Sequence, residues 1–256
     1  VPRIRATAAL IGVAAGLLSG FFGVGGGIIM VPLMLALLHY DQHTAHATSL
    51  AAIFVIAVSG AVTFGLSGEL DVPLALSLGV GGMVGSTLGA HTLDRVSART
   101  LRIVFAAVLL VAGVRLMLGG DVGAGSGIPV AWGWLVGAAI GVIAGFASGV
   151  AGIGGGVVMV PAMVFFLATT QHTAEGTSLL AILFTSLAGT RVNLKNRRVE
   201  LGSAIAMGLA GALTAPWGAW LALQLEGERL ATVFGGFILL TTARMIWQLW
   251  RRRVPA

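Results

Sequence analysis

Apolar residues run in long blocks along this chain, at 10–18, 49–66, 72–93 and 103–118 in its first half, with only short polar turns between them. Where water is absent, backbone N–H and C=O groups must be satisfied internally, so such blocks are either helices or the strands of a closed barrel. They lack strict apolar/polar alternation and therefore predict helices. The pattern divides into segments at 4–20, 28–38, 44–66, 72–93 and 98–118, and again at 130–147, 157–168, 173–192, 199–223 and 228–250. Between the two sets, 119–129 is glycine-rich with one acid and no base, which reads as a connector. The expected organisation is a first transmembrane repeat at 1–118, a connector at 119–129 and a second repeat at 130–256.

Composition selects the solvent. With 57% hydrophobic and 9% charged residues and a mean hydropathy of +0.99, the chain lacks the polar surface of a water-soluble domain. The apolar blocks are too many for one signal peptide or one anchor. The fold class expected is an all-α polytopic membrane protein. Segment 28–38 is short, roughly 17 Å at 1.5 Å per residue against a bilayer core of about 30 Å. The count is accordingly ten segments, or eight full spans plus two re-entrant hairpins.

Among 39 glycines, Gly79, Gly81, Gly82, Gly85 and Gly89 form a face suited to close helix packing, with Gly208, Gly211 and Gly218 as partners in the second half. The absence of cysteine excludes disulfides, thiolate catalysis and cysteine-bound metals. A net charge of +6 would suggest nucleic acid in a soluble protein. Here the basic residues gather at segment ends, at Arg95, Arg99 and Arg102, at 191–198 and at 251–253, and read as orientation signals, so no nucleic-acid partner is expected.

One block is written twice. Gly23-Val24-Gly25-Gly26-Gly27-Ile28-Ile29-Met30-Val31-Pro32 returns 129 residues later as Gly152-Ile153-Gly154-Gly155-Gly156-Val157-Val158-Met159-Val160-Pro161. The same offset maps Gln42-His43-Thr44-Ala45 onto Gln171-His172-Thr173-Ala174, pairs Thr48 and Ser49 with Thr177 and Ser178, and continues through Asp71 and Glu200 to Arg115 and Arg244. Loop charges give the halves a direction. Arg3, Arg5 and the Arg95/Arg99 loop read as cytoplasmic, and Glu69 and Asp71 as external; in the second half the signs swap, with Arg191, Lys195, Arg197 and Arg198 in the third-to-fourth connector and Glu226 and Glu228 in the next. An odd number of net crossings per half produces that swap, which predicts two inverted-topology repeats with both termini cytoplasmic, in the cell (inner) membrane.

The doubled motif resembles the signature of the TauE/SafE sulfite exporter family, also described as the TSUP anion permeases. The resemblance lies in Gly16 with Leu17, Leu18, Ser19, Gly20, Phe21, Phe22 and Gly23 to Gly27, then Val31-Pro32 and Ala47-Thr48-Ser49-Leu50, and in the matching stretch from Gly145 to Gly156 with Val160-Pro161 and Gly176-Thr177-Ser178-Leu179. It implies export or uptake of sulfite, a sulfonate or another small organosulfur anion.

The residues give that implication a physical footing. Gly25, Gly26 and Gly27, with Gly154, Gly155 and Gly156, lead into helices whose first N–H groups lack internal partners and carry the positive dipole end, and glycine lets an oxyanion approach them. The other reading of these glycines is a tight turn with close packing. Thr48, Ser49, Thr177 and Ser178 offer hydroxyl donors, or bonds back to helical carbonyls and across helices. Thr44 and Thr173 are candidate N-caps. Gln42, His43, Gln171 and His172 precede them, and His46 stands opposite Glu175 where the repeat breaks, which makes these six the candidates for coupling or gating by a proton or sodium. A carboxylate in a first helical turn also serves the helix dipole. Pro32 and Pro161 are candidate hinges or simple kinks. Arg115 and Arg244 fall near helix ends, where long side chains snorkel, and Trp217, Trp220, Trp247 and Trp250 suit interfacial anchoring.

An intramembrane enzyme is the rival from another class, because His39, Asp41, His43 and His46 crowd one turn. The second half retains only His172 of those histidines, and no zinc-protease or serine-hydrolase motif is present. The expectation is a non-enzymatic secondary carrier working by alternating access, without cofactor or metal, whose partners are a small sulfur-containing anion and the lipid bilayer. The alternatives are a passive anion channel or a membrane scaffold.

Overall fold

The computed structural model describes residues 2–92 and 130–251 and part of 106–117. Among these residues there are helices and no strands. The helices are α1 (Pro2–Phe22), α2 (Gly27–Leu33) continued by a π-helical turn (Met34–Leu38), α3 (Gln42–Leu66), α4 (Val72–Thr92), α5 (Val130–Ala151), α6 (Gly156–Phe166), α7 (Gln171–Lys195), α8 (Leu201–Leu223) and α9 (Gly227–Arg251). Arg95, Arg99, Arg102, Arg115 and the 119–129 connector lie outside the described residues.

The fold is an all-α polytopic membrane protein. Among the described residues six helices, α1, α3, α4, α5, α7 and α8, are long and apolar enough to cross a bilayer, while α6 and the α2 unit are shorter apolar helices. Large apolar side chains such as Leu10, Leu66, Leu213 and Leu240 are exposed on the outside, which hydrocarbon permits and water would penalise.

Two helix starts differ from expectation. The N-caps are Asp41, whose carboxylate accepts from the His43 and Thr44 amides at 3.0 Å each, and Thr170, whose hydroxyl accepts from the Thr173 amide at 3.2 Å. Thr44 and Thr173 are therefore first-turn residues and not caps. The carboxylate or hydroxyl three residues earlier reaches the orphan amides first, which draws the helix start back over the Gln-His pair. Past Pro32 the first copy loosens into the π-helical turn, whereas past Pro161 α6 stays α-helical to Phe166.

Packing between the halves is reciprocal. Along α1 and α8, Gly12 meets Met207, Gly16 meets Gly211 and Gly20 meets Ala215; along α5 and α4, Gly141 meets Leu78, Gly145 meets Gly82 and Gly149 meets Ser86. Each pair in the second set is the first set shifted by the 129-residue offset with its halves exchanged. Such self-complementarity is what a two-fold axis imposes on an interface. Its direction is fixed by α3 and α7, where Gly60 meets Leu179 and Gly189 meets Leu50: these corresponding helices run antiparallel, so the axis lies across the helices and not along them.

Charge sorts by end in consequence. Arg5 approaches Gly202 at the start of α8, and Tyr40 bonds Ser203 at 2.7 Å, so Arg3, Arg5, Lys195, Arg197 and Arg198 share one end of the bundle with Asp41 and Glu200. The opposite end gathers Glu69, Asp71, Glu226 and Glu228, where Thr173 donates to Glu69 at 2.5 Å and the His172 ring lies 3.1 Å from the Ala222 carbonyl.

The helix contacts are backbone on backbone, so a methyl group has nowhere to go: an added Cβ would lie 2.2 Å from the Gly211 carbonyl at Gly16 and 2.3 Å from the Gly82 carbonyl at Gly145. Gly16→Ala and Gly145→Ala are expected to destabilise by about 1–3 kcal/mol each, while Gly236→Ala, with nothing within 4 Å, leaves stability equal or slightly raised; thermal midpoints in detergent check both. Asp41 supplies a pH signature. The Thr44 hydroxyl, then the Thr44 and His43 amides, hold its carboxyl below the ordinary value of 3.8. Its cap is fully effective above that value and is lost as pH falls through the lower folded value. The difference in thermal midpoint between wild type and Asp41→Ala is therefore constant near neutrality and vanishes in that acid range.

Candidate functional site

The two glycine turns are built alike and face each other. Gly23, Gly25 and Gly26 have φ of 66°, 80° and 76°, and Gly152, Gly154 and Gly155 have 65°, 91° and 86°. This left-handed backbone costs an L side chain about 1–2 kcal/mol per residue, which is why the motif is written in glycine. The last glycine of each turn has a different reason. A Cβ on Gly27 would fall 2.3 Å from the Gly152 carbonyl, and one on Gly156 would fall 2.5 Å from the Gly23 carbonyl. The geometry is that of tight, closely packed turns, and it brings two helix N-termini, α2 and α6, to one place. Gly26 and Gly155 are the N-caps, with the Met30 and Met159 amides bonded back to their carbonyls at 3.1 and 3.0 Å.

The predicted hydroxyls bind the turns to the opposite half. Ser49 Oγ donates to the Gly152 carbonyl at 2.7 Å, and Ser178 Oγ donates to the Gly23 carbonyl. Thr48 Oγ1 accepts from the Glu200 amide and Thr177 Oγ1 from the Asp71 amide, both at 3.0 Å, at the entrances of α8 and α4. All four are buried. Ser49 and Ser178 also reach back to carbonyls of their own helices, His46 at 2.8 Å and Glu175 at 2.9 Å, so the bonds run both across helices and back along them.

His46 and Glu175 flank the turns at equivalent places. A Cβ on Gly152 would sit 2.7 Å from His46 Cα, and one on Gly23 would sit 2.6 Å from Glu175 Cα. His46 Nδ1 lies 2.9 Å from the Val150 carbonyl, so this nitrogen carries a proton to donate. Glu175 is fully buried, its Oε1 accepts from Gln171 Nε2 at 2.8 Å, and its Oε2 has no hydrogen-bond partner. The structure brings Gln171 to Glu175 in this way, but leaves Gln42 partly buried, His43 exposed at the basic end, and His172 turned to Ala222. Among the described residues no three of His, Asp and Glu come together as a metal site, so His39, Asp41, His43 and His46 do not assemble into one. Arg244 is exposed, as are Trp217, Trp220 and Trp247 on the outer surface; the Trp250 side chain lies outside the described residues.

Sequence reasoning missed a matched pair. Ser19 and Ser148 stand one helical turn before the glycine turns, their carbonyls bonded to the Gly23 and Gly152 amides at 2.8 and 2.7 Å. Both side chains are fully buried with Oγ unpartnered. The signal was in the 129-residue offset, which pairs them, but a lone serine in an apolar run gives no hint that its hydroxyl is unsatisfied. Together the turns, their helix N-termini and these neutral donors form an arrangement suited to an oxyanion.

The family model described as "Sulfite exporter TauE/SafE" matches residues 1–116 and 137–256. The chain is similar to a "Probable membrane transporter protein" of Xylella fastidiosa (strain Temecula1 / ATCC 700964), 29% identical over 94% of this chain and 93% of that protein. It is also similar to "Probable membrane transporter protein YunE" of Bacillus subtilis (strain 168), 35% identical over 41% of this chain and 38% of that protein. No solved structure matches.

The cross-half serine bonds are testable. Ser49→Ala and Ser178→Ala each strand a buried turn carbonyl, and each is expected to cost about 1–3 kcal/mol. Thr63→Ala removes only a bond within its own helix, to Ser59, and is expected to change little. Chemical denaturation in detergent measures all three, and equal behaviour of the serines and Thr63 would refute the clamp.

Proposed function

We propose a transport mechanism for a chain that belongs to the sulfite exporter TauE/SafE family and so is a multi-pass membrane transporter and not an enzyme. The cargo in this reading is sulfite, a sulfonate or a related small organosulfur anion, and the site is the pair of turns at Gly25, Gly26 and Gly27 and at Gly154, Gly155 and Gly156. One observation carries it: two helix N-termini meet across a two-fold axis, and one helical turn before each glycine turn stands a buried hydroxyl without a hydrogen-bond partner, Ser19 and Ser148. Thr48, Ser49, Thr177 and Ser178 hold the turns in register, and the cargo takes the amides and the free hydroxyls.

The two halves, 1–118 and 130–256 joined by 119–129, sit inverted in the cell membrane. The antiparallel run of α3 and α7 and the sorting of charge by end support this, with the basic end and both termini cytoplasmic. Alternating access then exchanges the environments of the two halves around a fixed central site. His46 and Glu175, one beside each turn, couple a proton to the cargo, with Gln171 orienting the Glu175 carboxyl. Two titratable groups of opposite charge type at equivalent places make the two states inequivalent.

Flux in proteoliposomes decides between carrier and channel. Saturable movement of sulfite or a sulfonate, driven by a pH gradient, is expected. Ser19→Ala with Ser148→Ala is expected to raise KM by roughly thirtyfold, at about 1 kcal/mol of binding per lost bond, with an unchanged thermal midpoint. Non-saturable flux would make the protein a channel, and stabilisation by carboxylates alone in a thermal-shift screen would refute the sulfur-anion class.

A further inference from the structure

The two-fold relation makes departures from symmetry conspicuous, and the largest lies along the buried face of α7. At Thr185, Ser186, Thr190 and Asn193 the first half has Ile56, Ala57, Ala61 and Phe64. Thr185, Ser186 and Asn193 are essentially inaccessible, as are Ile56, Ala57 and Phe64. These four positions are therefore polar in one half and apolar in the other, while the hydroxyls that α3 does carry, Ser59 and Thr63, are satisfied by the Ala212 and Ser59 carbonyls. The facing helix follows suit: Ser86 on α4 corresponds to Ala215 on α8.

The polar face is also unsatisfied. Thr185 and Ser186 return their hydrogens to the carbonyls of Ile182 and Leu183, and Asn193 Nδ2 donates to the Gly189 carbonyl at 2.9 Å. Ser86 Oγ, Thr190 Oγ1 and Asn193 Oδ1 have no partner. Ser86 and Asn193 are at least 99% buried. The Ser86 hydroxyl points at α7, since a Cβ on Gly189 would meet it at 2.6 Å, and Thr185 packs directly over Gly82. Ser86 Oγ lies between the two helices, and Asn193 Oδ1 and Thr190 Oγ1 lie on α7 within a turn of Gly189, which faces it; water or a polar solute there would relieve about 1–3 kcal/mol per unpaired atom.

The seam has two definite ends. Asn193 adjoins Lys195, Arg197 and Arg198 at the basic end of the bundle. From there Ser186 and Thr185 lead to Ile182, whose Cδ1 would lie 3.4 Å from a Cβ on Gly25 and 3.0 Å from one on Gly156. Ile182 is thus the last side chain before the glycine turns. We infer that the α4/α7 seam, lined by Ser86, Thr185, Ser186, Thr190 and Asn193, is a hydrated half-path for a small anion between the basic end and the glycine turns, and that the equivalent α3/α8 seam is sealed by Ile56, Ala57, Ala61 and Phe64. Neutral hydroxyls solvate an anion without trapping it, and the basic end concentrates anions at the mouth. This rests on the transport reading only for the identity of what passes.

The chain's lack of cysteine makes the test direct. Single cysteines replace Ser186, Thr190 and Asn193 on one seam and Ala57, Ala61 and Phe64 on the other, in the full chain in proteoliposomes. The probe is a membrane-impermeant, sulfonate-bearing methanethiosulfonate applied from each side. Ser186→Cys, Thr190→Cys and Asn193→Cys are expected to react from the basic side, and the three α3 variants at least about tenfold more slowly, since a packed side chain reacts only through local opening. Equal rates on the two seams, or no reaction at the α7 positions, overturns the half-path. A companion variant, Ser186→Ala with Thr190→Ala, copies the first half's residues with no added bulk and is expected to lower flux several-fold at an unchanged thermal midpoint; unchanged flux likewise overturns it. Labelling reads hydration independently of cargo. One-sided labelling without sulfur-anion flux would leave the path standing and refute the substrate, whereas saturable flux without one-sided labelling does the reverse.

Discussion

The approach of two glycine turns to within van der Waals contact of each other's carbonyls is the constraint on which this structure depends. In a bilayer, burying an apolar side chain against another gains little over burying it in lipid, so helices associate through backbone proximity and polar bonds. This chain uses both at its centre. Gly27 and Gly156 let each turn rest on the other's backbone, and Ser49 and Ser178 bond the same carbonyls from the side. The outer helices follow the same rule, with α1 on α8 and α4 on α5 meeting glycine to carbonyl along their lengths.

Because every such contact occurs twice with the halves exchanged, neither half has a core of its own. Thr48 receives the first amide of the other half's fourth helix, and Thr177 does the converse. The first helix of each half packs on the fourth helix of the other. A motion that loosened one set of these contacts would have an equivalent motion available in the other half, which is the structural condition for exchanging two access states about one site. In the proposed cycle the asymmetric residues set which state is preferred, since a symmetric pair would populate both equally.

Much of this was legible in the chain before the fold. The helical class and the glycine turns follow from hydropathy and from a 129-residue self-match, and the loop charges at Glu69 and Arg198 carry the expectation, kept in the proposed function, that the halves run in opposite directions. The caps were misplaced because Thr44 and Thr173 stood nearest the apolar run, while capping depends on which oxygen reaches the orphan amides, and Asp41 and Thr170 reach them first. The serine hydroxyls were ambiguous because a donor's partner lies in the other half, more than 100 residues away. Ser19 and Ser148 were invisible for a related reason: lack of a partner is a property of three-dimensional surroundings, and no spacing encodes it.

The break in symmetry at His46 and Glu175 gains meaning from its setting. The His46 imidazole, with a proton on Nδ1, satisfies the Val150 carbonyl it faces. By the 129-residue offset, the corresponding carbonyl for Glu175 is that of Phe21. A carboxylate offers that carbonyl no hydrogen, whereas a carboxylic acid does. In the proposed cycle a protonated Glu175 would offer a hydrogen as His46 does, and a deprotonated one would not. In that cycle, proton occupancy at this pair of turn-flanking residues biases the balance between the two halves, and the polar α7 residues, apolar at their α3 counterparts, add a second inequality along the proposed route.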